Sequence, residues 1–192
     1  MRIIAGDLRG RSIKTVRDPG VRPISGRIKQ SLFDIITGLV PASKFLDLFA
    51  GTGAVGIEAL SRGAAFVFFV DMNKRCVENI KTNLDRLGFA GRARAHPGNV
   101  LSDLSWISFR SGVAKYDLIF LGPPYKTLEK TALFFSTPAL AAIAAADLLA
   151  PGGWVISQHH VKEEVAAPPG YEMKRREKYG DTYLSFFKRG GN

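Results

Sequence analysis

Three places in the chain combine residue types and spacing that could do chemistry, and each closes an apolar run. The first is Asp47-Leu48-Phe49-Ala50-Gly51-Thr52-Gly53, which follows a short apolar segment and precedes a helical pattern. Strand-to-helix turns of this composition bring backbone N–H groups and a helix N-terminus against a ligand, and glycine removes the side chain that would block close approach. The second is Asp71, at the end of Phe66-Val67-Phe68-Phe69-Val70, and the third is Gly122-Pro123-Pro124-Tyr125, at the end of Tyr116–Leu121. Asn99 follows Pro97-Gly98 at a fourth such end.

Gly51, Gly53 and Gly56 satisfy G-x-G-x-x-G, and Asp71 stands near the spacing of a ribose-binding acid, so a nicotinamide dinucleotide is one candidate ligand. Asp47 discriminates. A dinucleotide would bring a doubly charged pyrophosphate to the turn, where a carboxylate repels it. S-adenosylmethionine brings a sulfonium and an ammonium, for which the carboxylate is favourable. The other reading of Asp47 is an acid that caps loop N–H groups. No Gly-Lys-Ser/Thr follows the glycines, which excludes a P-loop. Asp71 is expected to accept both ribose hydroxyls or to cap the next helix, and Asn99 to meet the adenine edge or to shape its own turn. Phe49, Ala50, Thr52, Met72, Val100 and Ser25 complete the expected cofactor contacts.

The elements that must hold these residues alternate between strand and helix from Lys44 onward. Phe45–Leu48 reads as a buried strand, followed by a helix carrying Val55, Ile57, Ala59 and Leu60. Phe66–Val70 has the unbroken apolar character of a parallel strand covered on both faces, and Asn73 can cap a helix with Val77, Ile80, Leu84 and Leu87 on its inner face. Ala93–Ala95 is a weak third strand, Tyr116–Leu121 a fourth and Trp154–Ser157 a fifth, with a helix over roughly Pro138–Leu149 and a final hairpin around Tyr179-Gly180-Asp181. This order predicts a doubly wound α/β sheet with its ligands at the carboxyl ends of the strands. Before it, Met1–Val16 reads as a basic β-hairpin, and Ser25 caps a helix whose Ile28, Leu32, Ile35, Ile36 and Leu39 face inward while Arg27 and Lys29 stay outside. Residues 1–43 therefore form an extension and residues 44–192 the main domain.

The 192 residues, 46% of them hydrophobic, suit a single domain of ordinary size with a real core. A net charge of +10 favours a polyanionic partner, and Arg2, Arg9, Arg11, Lys14, Arg22 and Arg27 are the expected contacts to an RNA backbone. One cysteine, Cys76, leaves no internal disulfide and no multi-cysteine metal site, and is expected in the core. No apolar run approaches the roughly 20 residues of a membrane span, and no signal-peptide core is evident, so a cytoplasmic location is expected. His159-His160 is expected to be structural or to face RNA.

The glycine loop, the Arg22-Pro23…Ser25…Arg27 approach with Leu32-Phe33, Pro123-Pro124-Tyr125 and Tyr179-Gly180-Asp181-Thr182 together resemble the RsmD family over nearly the whole chain. The resemblance implies a Rossmann-like, seven-stranded methyltransferase sheet and transfer of a methyl group from S-adenosylmethionine to the exocyclic N2 of a guanine in 16S ribosomal RNA, without a metal. It also implies that residues 1–43 contact RNA and cover the cofactor site. In that family an Asp-Pro-Pro-Tyr tetrad holds the target amine through the aspartate and the first proline's carbonyl, while the tyrosine stacks on the flipped base. Such stacking is worth about 1–3 kcal/mol, and the alternative for Tyr125 is a hydrophobic residue closing the sheet end. The chain departs from the tetrad at Gly122, where the carboxylate is missing. Two other functions follow from that departure and from the shared Pro-Pro-Tyr: an RNA-binding assembly factor with little or no activity, and a DNA amino-methyltransferase.

Overall fold

The computed structural model describes residues 1–16, 24–125 and 133–191. Seven strands form one sheet: β1 (Lys44–Leu48), β2 (Phe66–Asp71), β3 (Ala93–Pro97), β4 (Tyr116–Leu121), β5 (Leu149–His160), β6 (Tyr171–Tyr179) and β7 (Thr182–Arg189). Their spatial order is β3-β2-β1-β4-β5-β7-β6. The first five are parallel, and β7 lies antiparallel between β5 and β6. Helices α1 (Gly26–Ile35), α2 (Ala54–Ser61), α3 (Lys74–Leu87), α4 (Trp106–Ser111) and α5 (Ser136–Ala145) complete the fold. Two apolar clusters divide the sheet residues by alternation: Phe45, Val67, Phe69, Leu118 and Phe120 face α1, α2 and α3, whereas Leu46, Phe68, Val70, Ile119 and Leu121 face α4 and α5. This is the doubly wound sheet expected from the strand–helix alternation.

The differences from the sequence reading have local causes. Helix α4 lacks a long apolar stripe and is short, so periodicity gives it no signal. Strand β5 continues through Pro151-Gly152-Gly153, which looked like a turn, and α5 stops at Ala145 because Asp147 takes a left-handed conformation with φ of 51°. Gly56 is glycine for packing: a Cβ there would lie 2.2 Å from the Phe69 ring. Cys76 is buried, as expected.

The larger correction concerns the N-terminal extension. Met1–Val16 closes as a short hairpin without two regular strands: Ile3 N–H donates to the Arg11 carbonyl at 3.0 Å and Ile13 N–H to the Met1 carbonyl at 2.8 Å, around an isolated antiparallel bridge of Arg2 to Ser12. Its other backbone donors turn to the helices. Ile4 and Ala5 N–H donate to the Glu58 carboxylate at 2.9 Å each, Leu8 N–H to Ser61 Oγ at 3.1 Å, and Lys14 N–H to Asn83 Oδ1 at 2.9 Å. Gly6 lies so close to α2 that a Cβ would sit 1.8 Å from the Ser61 carbonyl oxygen. Ile3 and Ile13 enter the core beside Leu32 and Phe33.

Lys29, expected outside, is 1% exposed. Its ammonium lies 2.8 Å from Glu58, which is 0% exposed, and donates to the Arg2 carbonyl at 3.0 Å. Arg62 Nε reaches the other Glu58 oxygen at 2.9 Å. Burial pushes the Glu58 carboxyl up, but Lys29, the Ile4 N–H and Arg62 outweigh it and hold the group below its ordinary range. A buried ion pair contributes little net stability when intact but is costly to break. Lys29→Met should therefore destabilise the fold by about 3 kcal/mol, read as a lower urea midpoint at unchanged slope.

Candidate active site

Parallel pairing sets the geometry. Asp47 pairs with Phe69 on one side and Phe120 on the other, and Leu121 with Ser157, so β1, β2, β4 and β5 end side by side. A cleft opens over these ends. It is lined by Ile24, Asp47, Phe49, Ala50, Gly51, Thr52, Ala54, Val55, Phe120, Gly122 and Gln158. The structure thus brings the glycine loop, Asp47 and Gly122 together, and adds Ile24 from the N-terminal extension.

The loop is held from both ends. Gly53 precedes α2 with φ of 74°, a conformation that favours glycine, and a Cβ there would meet Ile80 at 2.9 Å. Phe49 also has a positive φ, 56°, and its ring stacks on Phe135 at 6.3 Å between centroids. Gly51 N–H donates to Asp71 Oδ2 at 2.7 Å, while Asp71 Oδ1 accepts from Asn73 N–H at 2.8 Å. Asp71 therefore braces the loop and the entry to α3. Each carboxylate oxygen has a second lone pair, so these bonds are compatible with accepting ribose hydroxyls.

Asp47 is 2% exposed and accepts from Gly56 N–H at 2.9 Å. No described residue forms an ion pair with it. Burial, offset in part by the Gly56 N–H and reinforced by the charge of Asp71, pushes its carboxyl up to about 8. The acid does cap a backbone N–H, the alternative at this position, but a desolvated carboxyl without a cation also fits a ligand that brings one. The donor set thus suits S-adenosylmethionine and would work against a pyrophosphate.

The remaining expected residues that the structure describes are not on this lining. Met72 is 74% exposed beside Asp71. Asn99 Oδ1 accepts from Leu101 N–H at 3.0 Å, which shapes its own turn and leaves its amide donors for a ligand. Val100 is buried in the cluster facing α4 and α5. Ser25 Oγ caps α1 by accepting from Ile28 N–H at 3.2 Å. Pro123 is buried and Pro124 half-buried. Tyr125 is 8% exposed, edge-on to His160 at 5.9 Å, and its hydroxyl accepts from Gln158 Nε2 at 2.7 Å, so its ring closes the sheet end in this conformation. His159 is fully buried; burial lowers it to about 4, and its Nε2 lies 2.8 Å from Ser185 Oγ, a structural role. Arg2, Arg9, Arg11, Lys14 and Arg27 are all exposed, and Arg22 lies outside the described residues.

Sequence reasoning missed Gln158 and Glu58. Nothing in the local pattern marks either, since each acquires its role from a partner far along the chain.

A seven-stranded sheet with β7 inserted antiparallel, and a cleft built for a cationic cofactor at the strand ends, defines a methyltransferase of the Rossmann-like class. A family model described as Conserved hypothetical protein 95 matches residues 1–188, and the chain belongs to that family, the RsmD family. "Putative rRNA methyltransferase YlbH" of Bacillus subtilis strain 168 is 33% identical over 192 residues, with 100% of each chain covered. "Ribosomal RNA small subunit methyltransferase D" of Escherichia coli K12 is 31% identical over 194 residues, covering 95% of this chain and 93% of that protein. The solved structure "Putative methyltransferase yhhF" from Escherichia coli superposes with a TM-score of 0.80 at 26% identity, covering 98% of this chain and 97% of that one.

The Asp47 carboxyl gives a pH dependence with a definite sign. Entry of the cationic cofactor stabilises the carboxylate, so binding releases a proton below about pH 8. S-adenosylmethionine affinity should rise up to about tenfold per pH unit toward pH 8 and level off above it, with calorimetric proton release vanishing over the same range. Because the folded-state pKa is raised, the stability associated with Asp47 is lost as pH rises toward about 8. Asp47→Asn should accordingly melt higher than the native protein near neutral pH while binding the cofactor more weakly.

Proposed function

We propose that the protein transfers the methyl group of S-adenosylmethionine to the exocyclic N2 of a guanine in 16S ribosomal RNA, presented in a small-subunit assembly particle in the cytoplasm. The single observation that carries this reading is the cleft that joins the Asp47–Gly53 loop to Gly122 at the neighbouring strand end. When bound, the cofactor supplies an electrophilic methyl group on sulfonium sulfur. Asp47 balances its positive charge, the loop N–H groups and Asp71 orient it, and Met72, Asn99 and Val100 border the adenine.

The exocyclic amine of guanine is conjugated with its ring and weakly nucleophilic, so catalysis consists largely of aiming its lone pair at the methyl carbon. The Pro123 carbonyl accepts one amine N–H for this purpose, with Pro124 and Tyr125 forming the wall beside it. As the C–N bond forms, the C–S bond breaks with its electron pair returning to sulfur, and the nitrogen then loses a proton to water. Residues 1–43 act as the RNA-gripping extension: Arg2, Arg9, Arg11, Lys14 and Arg27 meet phosphates, Arg22 is assigned the same role, and Ile24 and Ser25 border the cofactor.

Gly122 favours one second reading, an assembly factor that binds RNA with little or no transfer. Its geometry allows a direct test, because the three nearest atoms that a Cβ at Gly122 would meet all belong to the Phe120 ring, at 3.0, 3.7 and 3.9 Å. Gly122→Asp restores a charged acceptor at the cost of a small ring movement. A charged acceptor is worth about 1–1.5 kcal/mol more than a neutral one, so transfer of tritiated methyl groups should rise about 5- to 10-fold. Mapping the modified base should place it on guanine N2. Salt-dependent RNA binding with no methyl transfer by either protein would instead establish the assembly-factor reading. The RNA contacts have their own measurement: replacing both Arg9 and Arg11 by Ala should flatten the slope of log K against log salt by about 1.4–1.8.

A further inference from the structure

Gly122 and Gln158 are neighbours across the sheet. Leu121 of β4 pairs with Ser157 of β5, and one residue further along each strand lie Gly122 and Gln158, both on the cleft. The absence of a side chain at Gly122 leaves Gln158 as the polar side chain at this corner. Its amide is anchored at one end, where Nε2 donates to the Tyr125 hydroxyl at 2.7 Å. The other end, Oε1, is buried and has no hydrogen-bond partner among the described residues.

A buried acceptor left unpaired costs about 1–3 kcal/mol, and each such atom in a folded protein calls for an explanation. Among the described residues, the other side chains with such atoms are Arg62, Tyr116, Ser136, Ser157 and Tyr171, and none of these lines the cleft. A carbonyl oxygen can accept only, and an amide does not take up a proton at neutral pH, so Oε1 suits a ligand N–H and not acid–base chemistry.

We propose that Gln158 Oε1 accepts a hydrogen bond from the exocyclic amine of the base to be methylated, supplying from β5 an acceptor that β4 lacks at Gly122. Nε2, held by Tyr125, fixes the direction in which the oxygen points. The two acceptors, Pro123 carbonyl and Gln158 Oε1, then take the two amine protons, which turns the nitrogen lone pair out of the base plane toward the methyl group. This assignment rests on the amine-methylation reading above and deepens it by naming a substrate-contacting residue.

The test compares binding of two single-stranded RNA oligonucleotides, one carrying a single guanosine and the other inosine in its place, in the presence of S-adenosylhomocysteine. Inosine lacks the exocyclic amine. The native protein should prefer guanosine about 3- to 10-fold, the range of one neutral hydrogen bond. Gln158→Met, similar in size without an acceptor, should bind the two equally and lower kcat by the same factor, with its affinity for S-adenosylhomocysteine within about twofold of native. Gln158→Glu, which keeps the acceptor, should retain the preference. The proposal is overturned if the native protein shows no preference, if Gln158→Met keeps it, or if Gln158→Glu loses it, as it would were the amide presenting a donor. The Glu comparison stands even if the Met variant fails to fold. A native protein that prefers guanosine yet transfers no methyl group would sink the transfer reading and leave this one standing.

Discussion

Parallel register is the constraint on which the rest of this molecule depends. Four adjacent strands, β2, β1, β4 and β5, run the same way; β2, β1 and β4 end within a residue of one another and β5 three residues further, so side chains separated by up to 111 positions, Asp47 to Gln158, arrive at one edge. A parallel sheet obliges the chain to leave each strand end through a turn toward a crossover helix. The turns therefore collect where the strands stop, and the ligand chemistry sits in the turns. Shifting β4 by one residue would move Gly122 away from both the loop and Gln158, and would put Phe120 on the opposite face of the sheet.

Two buried acids show how burial alone decides nothing. Asp47 and Glu58 are both almost inaccessible, 2% and 0% exposed, and lie at opposite ends of the same loop–helix unit. Glu58 has Lys29, Arg62 and two backbone N–H groups around its carboxylate, so its charge is stabilised and it serves as a fixed anchor. Asp47 accepts from one backbone N–H and has no cation beside it among the described residues, so burial holds its charge back. The difference separates an acid held charged by its partners from one that is not. It depends on partners that come from elsewhere in the chain.

That dependence explains what was legible in the sequence. The strands β1, β2 and β4 could be read because each is dominated by apolar residues and runs into the glycine loop, an Asp or Gly-Pro, and the glycine loop because its spacing is local. The cofactor's charge could be read from Asp47, since repulsion of a pyrophosphate needs only that the acid stand next to the loop. Lys29 could not be placed. Its helical position looks solvent-facing, and only Glu58, 29 residues later, and the Arg2 carbonyl make burial tolerable. The N-terminal segment was legible in part for the same reason: its isoleucines and glycines have hairpin spacing and its arms do pair around Arg2 and Ser12, but Ile4, Ala5, Leu8 and Lys14 find their acceptors on α2 and α3. Gln158 is silent in sequence because an unpaired oxygen is a property of surroundings. Tyr125 was legible as a member of a motif, whereas its covered ring depends on Gln158 and His160.

The anchoring of the first residues also has a consequence for how the chain folds. Ile4, Ala5 and Leu8 bind acceptors 53 or 54 positions later in the chain, and Lys14 one that is 69 positions later. Contacts of such separation carry a loop-closure cost that must be met before they form. The segment therefore finds its place only once α2 and α3 present Glu58, Ser61 and Asn83, so its docking is a late step in folding and its release would leave the strands of the sheet paired.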